Sequence, residues 1–182
     1  MAARVILCHV SPGTMPIQSQ DSPLSAFLKA LREEEIDYIL IGAMAAIQQG
    51  APLLTVDYDF WVRLTERQYV RLLSIVGRQG GTIRARTVYE LSDGTQVNAI
   101  FQPDGLRSFD TEWKGALWGE LDHVAVRVLP LRRVIASKRA ANRDKDLAVL
   151  PILRRTLRLA RRLTKRPKRT AKLKLGSQKR GR

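Results

Sequence analysis

The chain has 182 residues, 45% of them hydrophobic and 27% charged, which suits a single soluble domain with a core of its own. One cysteine, Cys8, excludes an internal disulfide and a Cys-rich zinc site, and the two histidines, His9 and His123, are too far apart in sequence to suggest a histidine metal cluster. The net charge of +15 is uneven: residues 154–182 hold 14 Lys or Arg and no acid, whereas the other 153 residues hold 18 basic and 17 acidic side chains, a net of +1. That asymmetry points the C-terminal end at an anionic partner and says nothing about the fold. No apolar run approaches the roughly 20 residues that span a bilayer. The run Val5-Ile6-Leu7-Cys8 is cut off by His9, so no export signal is read, and a cytoplasmic setting without membrane contact is expected.

Residues 1–21 lack periodicity and read as a flexible lead-in, or as sequence upstream of a true start at Met15; the domain is expected over 22–164 and a basic tail over 165–182. Ser22-Pro23 supplies a helix start, and Leu24, Phe27, Leu28 and Leu31 recur at helical spacing. Residues 37–41 form an apolar strand ending at Gly42. A small-residue helix follows over 43–49 and stops at Gly50. The stretch 55–62 is a second strand, and Thr65-Glu66 opens a helix that ends at Gly80-Gly81. Two strands, 82–91 and 96–101, flank the turn Ser92-Asp93-Gly94-Thr95. A short helix over 109–117, an alternating strand over 123–129 and two helices over 131–142 and 144–163 complete the pattern. This order predicts an α/β (α+β) domain, a small mixed sheet backed by helices.

The most informative stretch is 39–62. Side chains of a strand alternate faces, so Asp57 and Asp59 point the same way. Two carboxylates about 7 Å apart on one face repel unless water or a shared cation screens them, and Mg²⁺ favours one or two carboxylates plus substrate phosphates. The Gly42 turn delivers the chain into a helix N-terminus, whose free N–H groups attract phosphate. A carboxylate pair beside a phosphate cradle suits metal-dependent phosphoryl or nucleotidyl transfer. The plainer alternative makes the two aspartates the solvated face of an edge strand. Lys138, Arg139 and Arg143 likewise read either as site residues or as a solvated helix face paired with Asp144 and Asp146. Trp61, Trp113 and Trp118 read as core or rim packing.

Gly42-Ala43, a short helix ending in Gly, then Pro, Thr and Asp-x-Asp resembles the nucleotidyltransferase superfamily typified by polymerase β. Within it the chain is similar to the small AbiEii toxin-type nucleotidyltransferases. The segment Asn98–Gly105 with Ser108-Phe109 and Glu112-Trp113 follows that family's third active-site strand, and Lys138–Leu147 resembles its closing Lys-x-x-x-x-Arg-x-x-Asp-Leu helix pair. The likeness covers about residues 24–163. It implies that Gly42 and Ala43 face the nucleotide phosphates, that Asp57 and Asp59 bind Mg²⁺ (or Mn²⁺), that Asn98 occupies the place of a third carboxylate, and that Lys138 reaches the triphosphate or steadies the end of the sheet. Ala43, Leu53 and Asn98 depart from the family's pattern; Asn98 can coordinate through its carbonyl but cannot add charge or take a proton. Asp104, six residues on, is read as too distant along its loop to replace it.

Two functions follow from this reading. One is transfer of a nucleoside monophosphate from an NTP to a hydroxyl on an RNA end or a protein, with a toxin–antitoxin setting and an antitoxin partner implied by the resemblance. The other is a weakened relative that binds RNA or a partner. In both, Arg154, Arg155, Arg158, Arg161, Arg162, Lys165, Arg166, Lys168 and Arg169 are expected to meet nucleic-acid phosphates, with no aromatic residue after Trp118 to stack bases.

Overall fold

The computed structural model describes residues 21–165, with side chains as far as residue 163; the expected lead-in and the tail beyond Lys165 lie outside the described residues. Ser22 caps α1 (Pro23–Glu33): its hydroxyl accepts from the Ser25 N–H at 3.1 Å, and Pro23 stands in the first turn, where a missing donor costs nothing. The stripe Leu24, Phe27, Leu28 and Leu31 is buried, as its spacing requires. Glu35, in the left-handed region, turns the chain into β1 (Asp37–Leu40), and α2 (Gly42–Ile47) follows at once. After β2 (Asp57–Arg63), Thr65 and Gln68 form a capping box that opens α3 (Glu66–Arg78). Then come β3 (Thr82–Ala85), β4 (Val88–Glu90), β5 (Gln96–Ile100), α4 (Phe109–Gly115), β6 (Leu117–Leu121), β7 (Val124–Val128), α5 (Leu131–Ala141) and α6 (Asp144–Lys165).

The strands of the described region form one mixed sheet in the order β3-β4-β5-β2-β1-β7-β6. Only β2–β5 and β1–β7 pair in parallel. The central strands β1 and β2 carry Ile39, Leu40, Phe60, Trp61 and Val62 into the core, where helices pack on the sheet. Among the described residues, no helix is long and apolar enough to cross a membrane.

Two elements differ from the sequence expectation. The expected strand 82–91 is two antiparallel strands that fold back at Arg86-Thr87. No Gly or Pro marks this turn. It is fixed by tertiary contacts, since the hydroxyls of Tyr69 and Tyr89 both donate to the Arg86 carbonyl, at 3.0 and 2.9 Å. The helix expected over 109–117 stops at Gly115, and Ala116 turns extended. Residues 117–121 instead pair with β7 through a tight turn in which Asp122 and His123 both have positive φ. That is the backbone twist of a two-residue hairpin, reached here without the usual Asn-Gly pair.

Candidate active site

The site is built where β2 lies between β1 and β5. The parallel register sets Asp57 beside Gln96 and Asp59 beside Asn98, so Asp57, Asp59 and Asn98 share one face. The Asn98 side-chain amide donates to Asp59 Oδ1 at 2.9 Å. On the other side, the chain leaving β1 is tied to the same residue: the Ile41 N–H donates to the Asp59 carbonyl at 2.8 Å. Gly42 follows with φ +67°, and a Cβ there would collide with Asp59 Oδ2. Glycine is therefore required twice, by the left-handed backbone and by the carboxylate pressed against it.

These groups open onto a cleft of about 560 Å³. All six residues that the sequence nominated for catalysis and nucleotide binding, Gly42, Ala43, Asp57, Asp59, Asn98 and Lys138, line it. The arginines Arg154, Arg155, Arg158, Arg161 and Arg162 do not; they lie further along α6. Lys165 is the last residue of α6, and Arg166, Lys168 and Arg169 are beyond the described residues.

Burial raises the Asp59 pKa, and the negative charge of Asp57 adds to that; the Asn98 hydrogen bond, Lys138 and Lys145 act the other way. Lys138 is not a free cation. Its ammonium donates to Asp146 at 2.7 Å, and the Arg143 Nε donates to the second oxygen of the same carboxylate at 2.6 Å. Asp146 is 1% exposed. Burial works against its charge, but the hydrogen bonds from Lys138 and Arg143 overcome that and hold its carboxyl below the usual range. At the α5–α6 corner one buried acid thus fixes two cations at the rim of the cleft, Lys138 largely covered and Arg143 largely exposed. Lys145, one residue before Asp146, is exposed on the same rim and makes no ion pair among the described residues.

Asp104 lines the cleft but, among the described residues, forms no three-acid cage with Asp57 and Asp59. The loop after β5 folds back, with Gly105 at φ +65° packed against Ala136 and Ala140 of α5, and this brings Asp104 to the cleft wall. The loop doubles back on α5 to do so. Its course is held by Glu112, whose carboxylate accepts from the Arg107 N–H at 3.1 Å and from the Arg133 Nε at 2.8 Å, while Arg133 also reaches the Gly105 carbonyl at 3.3 Å. Gly105 and Glu112 belong to the segment that carries the family likeness, but nothing local signals the pairing of Glu112 with Arg133 across 21 positions.

Among the described residues, no three acidic, histidine or cysteine side chains gather closely enough to form a metal cage. The donor set is two carboxylates on one strand face and a neighbouring amide. That set fits a hard divalent ion of the kind that takes one or two protein carboxylates and completes its shell with water and phosphate oxygens.

No family model matches the chain, and no curated protein matches it. Solved structures do. The crystal structure of the aminoglycoside nucleotidyltransferase ANT(2'')-Ia in complex with adenylyl-2''-tobramycin superposes with a TM-score of 0.50 at 14% identity, over 78% of this chain and 91% of that one. The solution structure of the same antibiotic-resistance factor gives a TM-score of 0.50 at 12% identity, over 78% of this chain and 89% of that one. The crystal structure of a Thermotoga maritima protein described as "a putative nucleotidyltransferase" gives 0.45 at 17% identity, over 79% of this chain and 91% of that one. The chain has the nucleotidyltransferase fold.

Proposed function

We propose that the protein is a metal-dependent nucleotidyltransferase that moves a nucleoside monophosphate from an NTP to a hydroxyl acceptor. The observation that carries this reading is the juxtaposition of Asp57 and Asp59, on one strand face, with the Gly42 turn in a cleft rimmed by lysines. Asp57 and Asp59 are the residues that would hold Mg²⁺ or Mn²⁺. When bound, such an ion supplies Lewis-acid stabilisation of phosphoryl oxygens and lowers the pKa of an oxygen nucleophile. Gly42 and Ala43 bring backbone close to that point, because the missing side chain at Gly42 leaves room for the Asp59 carboxylate against the main chain. Lys145 offers a free positive charge to a triphosphate; Lys138, neutralised by Asp146, fixes the end of α5 and contributes less. The nucleotidyl acceptor is an RNA end, favoured over a cationic small molecule by the positive charge of the C-terminal third, which would attract an RNA backbone through Arg154 and the basic residues that follow it.

A second reading has one observation in its favour. Asn98 spends its amide on Asp59, so the place of a third carboxylate is filled by a hydrogen-bond donor. A chain that binds nucleotide and RNA with slow or no turnover is consistent with that. One experiment separates the two. The protein is incubated with each labelled NTP, Mg²⁺ or Mn²⁺ and total RNA, alongside Asp57→Asn and Asp59→Asn. Label transferred by the wild type and by neither variant establishes the enzyme. Nucleotide binding without transfer under both ions establishes the weakened relative.

A further inference from the structure

The C-terminal half of α6 has three sectors. One, around Leu153, is buried in the core. A second carries Arg154, Arg155, Arg158 and Arg162. The third is a stripe in which Ile152, Leu159 and Leu163 are apolar and exposed and Thr156 is buried between them, spaced i, i+4, i+7, i+11, as along one face of an amphipathic helix. Ile152 is 38%, Leu159 49% and Leu163 70% exposed. With Gln49 and Pro52 of the loop after α2, the stripe forms a groove of about 560 Å³, separate from the Asp57/Asp59 cleft. Three large aliphatic side chains in register on one helix face are more than the scattered apolar residues of an ordinary surface.

Charge selects among the occupants. From Leu147 to Leu163 the helix holds five arginines and no acid, Arg155 lines the groove itself, and no acid is among the other lining residues. A second copy placed helix to helix would set one arginine sector against another. A nucleic-acid backbone would satisfy the arginines but gain nothing from Leu159 and Leu163. An amphipathic helix with aliphatic residues on one face and Glu or Asp along its borders satisfies both surfaces at once. We infer that this groove docks an acidic amphipathic helix of a partner protein, with Leu159 and Leu163 as the apolar contacts and Arg155, Arg158 and Arg162 as the charged border.

The test uses the full-length protein and a labelled synthetic peptide of about 20 residues, with Leu at the a and d positions of each heptad and Glu on the flanks. Its controls are a scrambled peptide of the same composition and a single-stranded RNA of similar charge. Because both leucines are exposed, Leu159→Asn with Leu163→Asn removes the apolar contacts without adding charge beside the arginines and leaves the core intact, and an unchanged circular dichroism melt verifies this. The patterned peptide is expected to bind, to weaken about tenfold or more in the double variant, and to outbind the scrambled peptide, while RNA affinity stays within about twofold. Equal binding of the two peptides, no loss in the double variant, or no binding at all overturns the inference. So does an equal loss of RNA affinity, which would make the stripe a nucleic-acid surface, or concentration-dependent dimerisation that the double variant abolishes, which would make a second copy the occupant.

Discussion

At the scale of single residues, the site turns on Gly42 and Asn98. Gly42→Ala must place a Cβ onto Asp59 Oδ2 while holding a positive φ. The left-handed backbone and the displaced carboxylate together are expected to cost about 2–3 kcal/mol of unfolding free energy. A denaturant titration measures this, and repeating it in an Asp59→Gly background isolates the contact. Most of the collision term should vanish there, leaving the backbone penalty; an equal loss in both backgrounds would show that the two residues do not meet. Asn98→Asp exchanges the amide that donates to Asp59 for a third negative charge beside a carboxylate that burial already destabilises in its charged form. Without metal, the variant is expected to be less stable at pH 7 by about 1–2 kcal/mol, from a lost hydrogen bond and like-charge repulsion. Added Mg²⁺ or Mn²⁺ should then raise its melting temperature more than it raises that of the wild type, because tighter binding to the native state stabilises by mass action. An equal metal-induced rise in both proteins would place the ion away from Asn98. Asp57 and Asp59 were legible as a pair because strand periodicity is local, and Asn98 was legible beside them through the motif; the hydrogen bond that ties Asn98 to Asp59 was not, because only strand pairing brings the two together.

At the scale of elements, the buried Glu112–Arg133 pair joins α4, α5 and the loop that carries Asp104 to the cleft. Glu112 is 4% exposed. Burial raises its pKa, but the Arg133 hydrogen bond, the Arg107 N–H and both guanidinium charges bring it below its ordinary value of 4.5. A depressed carboxyl contributes stability that is present above the unfolded-state value and lost as pH falls through the lower folded-state value. Acid unfolding of the wild type should therefore steepen below about pH 4.5, and Glu112→Gln should flatten that part of the curve. At pH 7 the same variant leaves Arg133 without its counter-charge and is expected to lose about 2–4 kcal/mol, toward the low end because Arg133 keeps some access to water. A parallel acid limb in both proteins would assign the acid sensitivity elsewhere, Asp146 being the next group with a lowered pKa. The helices α1, α3, α5 and α6 and the strands β1, β2, β5 and β7 were all legible, because periodicity and caps write them locally. The edge hairpin was not. The Leu117-Trp118-Gly119-Glu120-Leu121 segment becomes a strand only by pairing with β7, and Trp118 there is 67% exposed and stacks on Arg127 at 3.9 Å from the ring centroid. Its turn residue His123 has φ +63°, so His123→Gly is expected to raise stability by about 0.5–1 kcal/mol, read as a higher midpoint in urea.

At the scale of the whole molecule, a nearly neutral body carries a strongly basic end, and the two are predicted to bind different things. The sheet and the cleft depend on register and burial, whereas attraction to nucleic acid depends on how many phosphates are neutralised, each of which releases a condensed counterion. Residues 154–182 hold 14 Lys or Arg and no acid. If six of these engage single-stranded RNA, the slope of log affinity against log salt should be about −4, at roughly −0.7 per contact. Sequence preference should be slight, since phosphate contacts position a protein without reading bases. Asp57→Asn should leave this binding unchanged. Leu153 is buried, so α6 cannot be removed without opening the core. The informative deletion therefore takes only 165–182, which removes nine of the 14 charges and begins at the last residue of α6. The shortened protein should keep its melting temperature, and its salt slope should fall toward the value that five remaining arginines can support. Equal affinity and equal slope before and after the deletion would show that phosphate binding does not reside in the tail, and the acceptor would then have to be held by the cleft and its lysine rim alone.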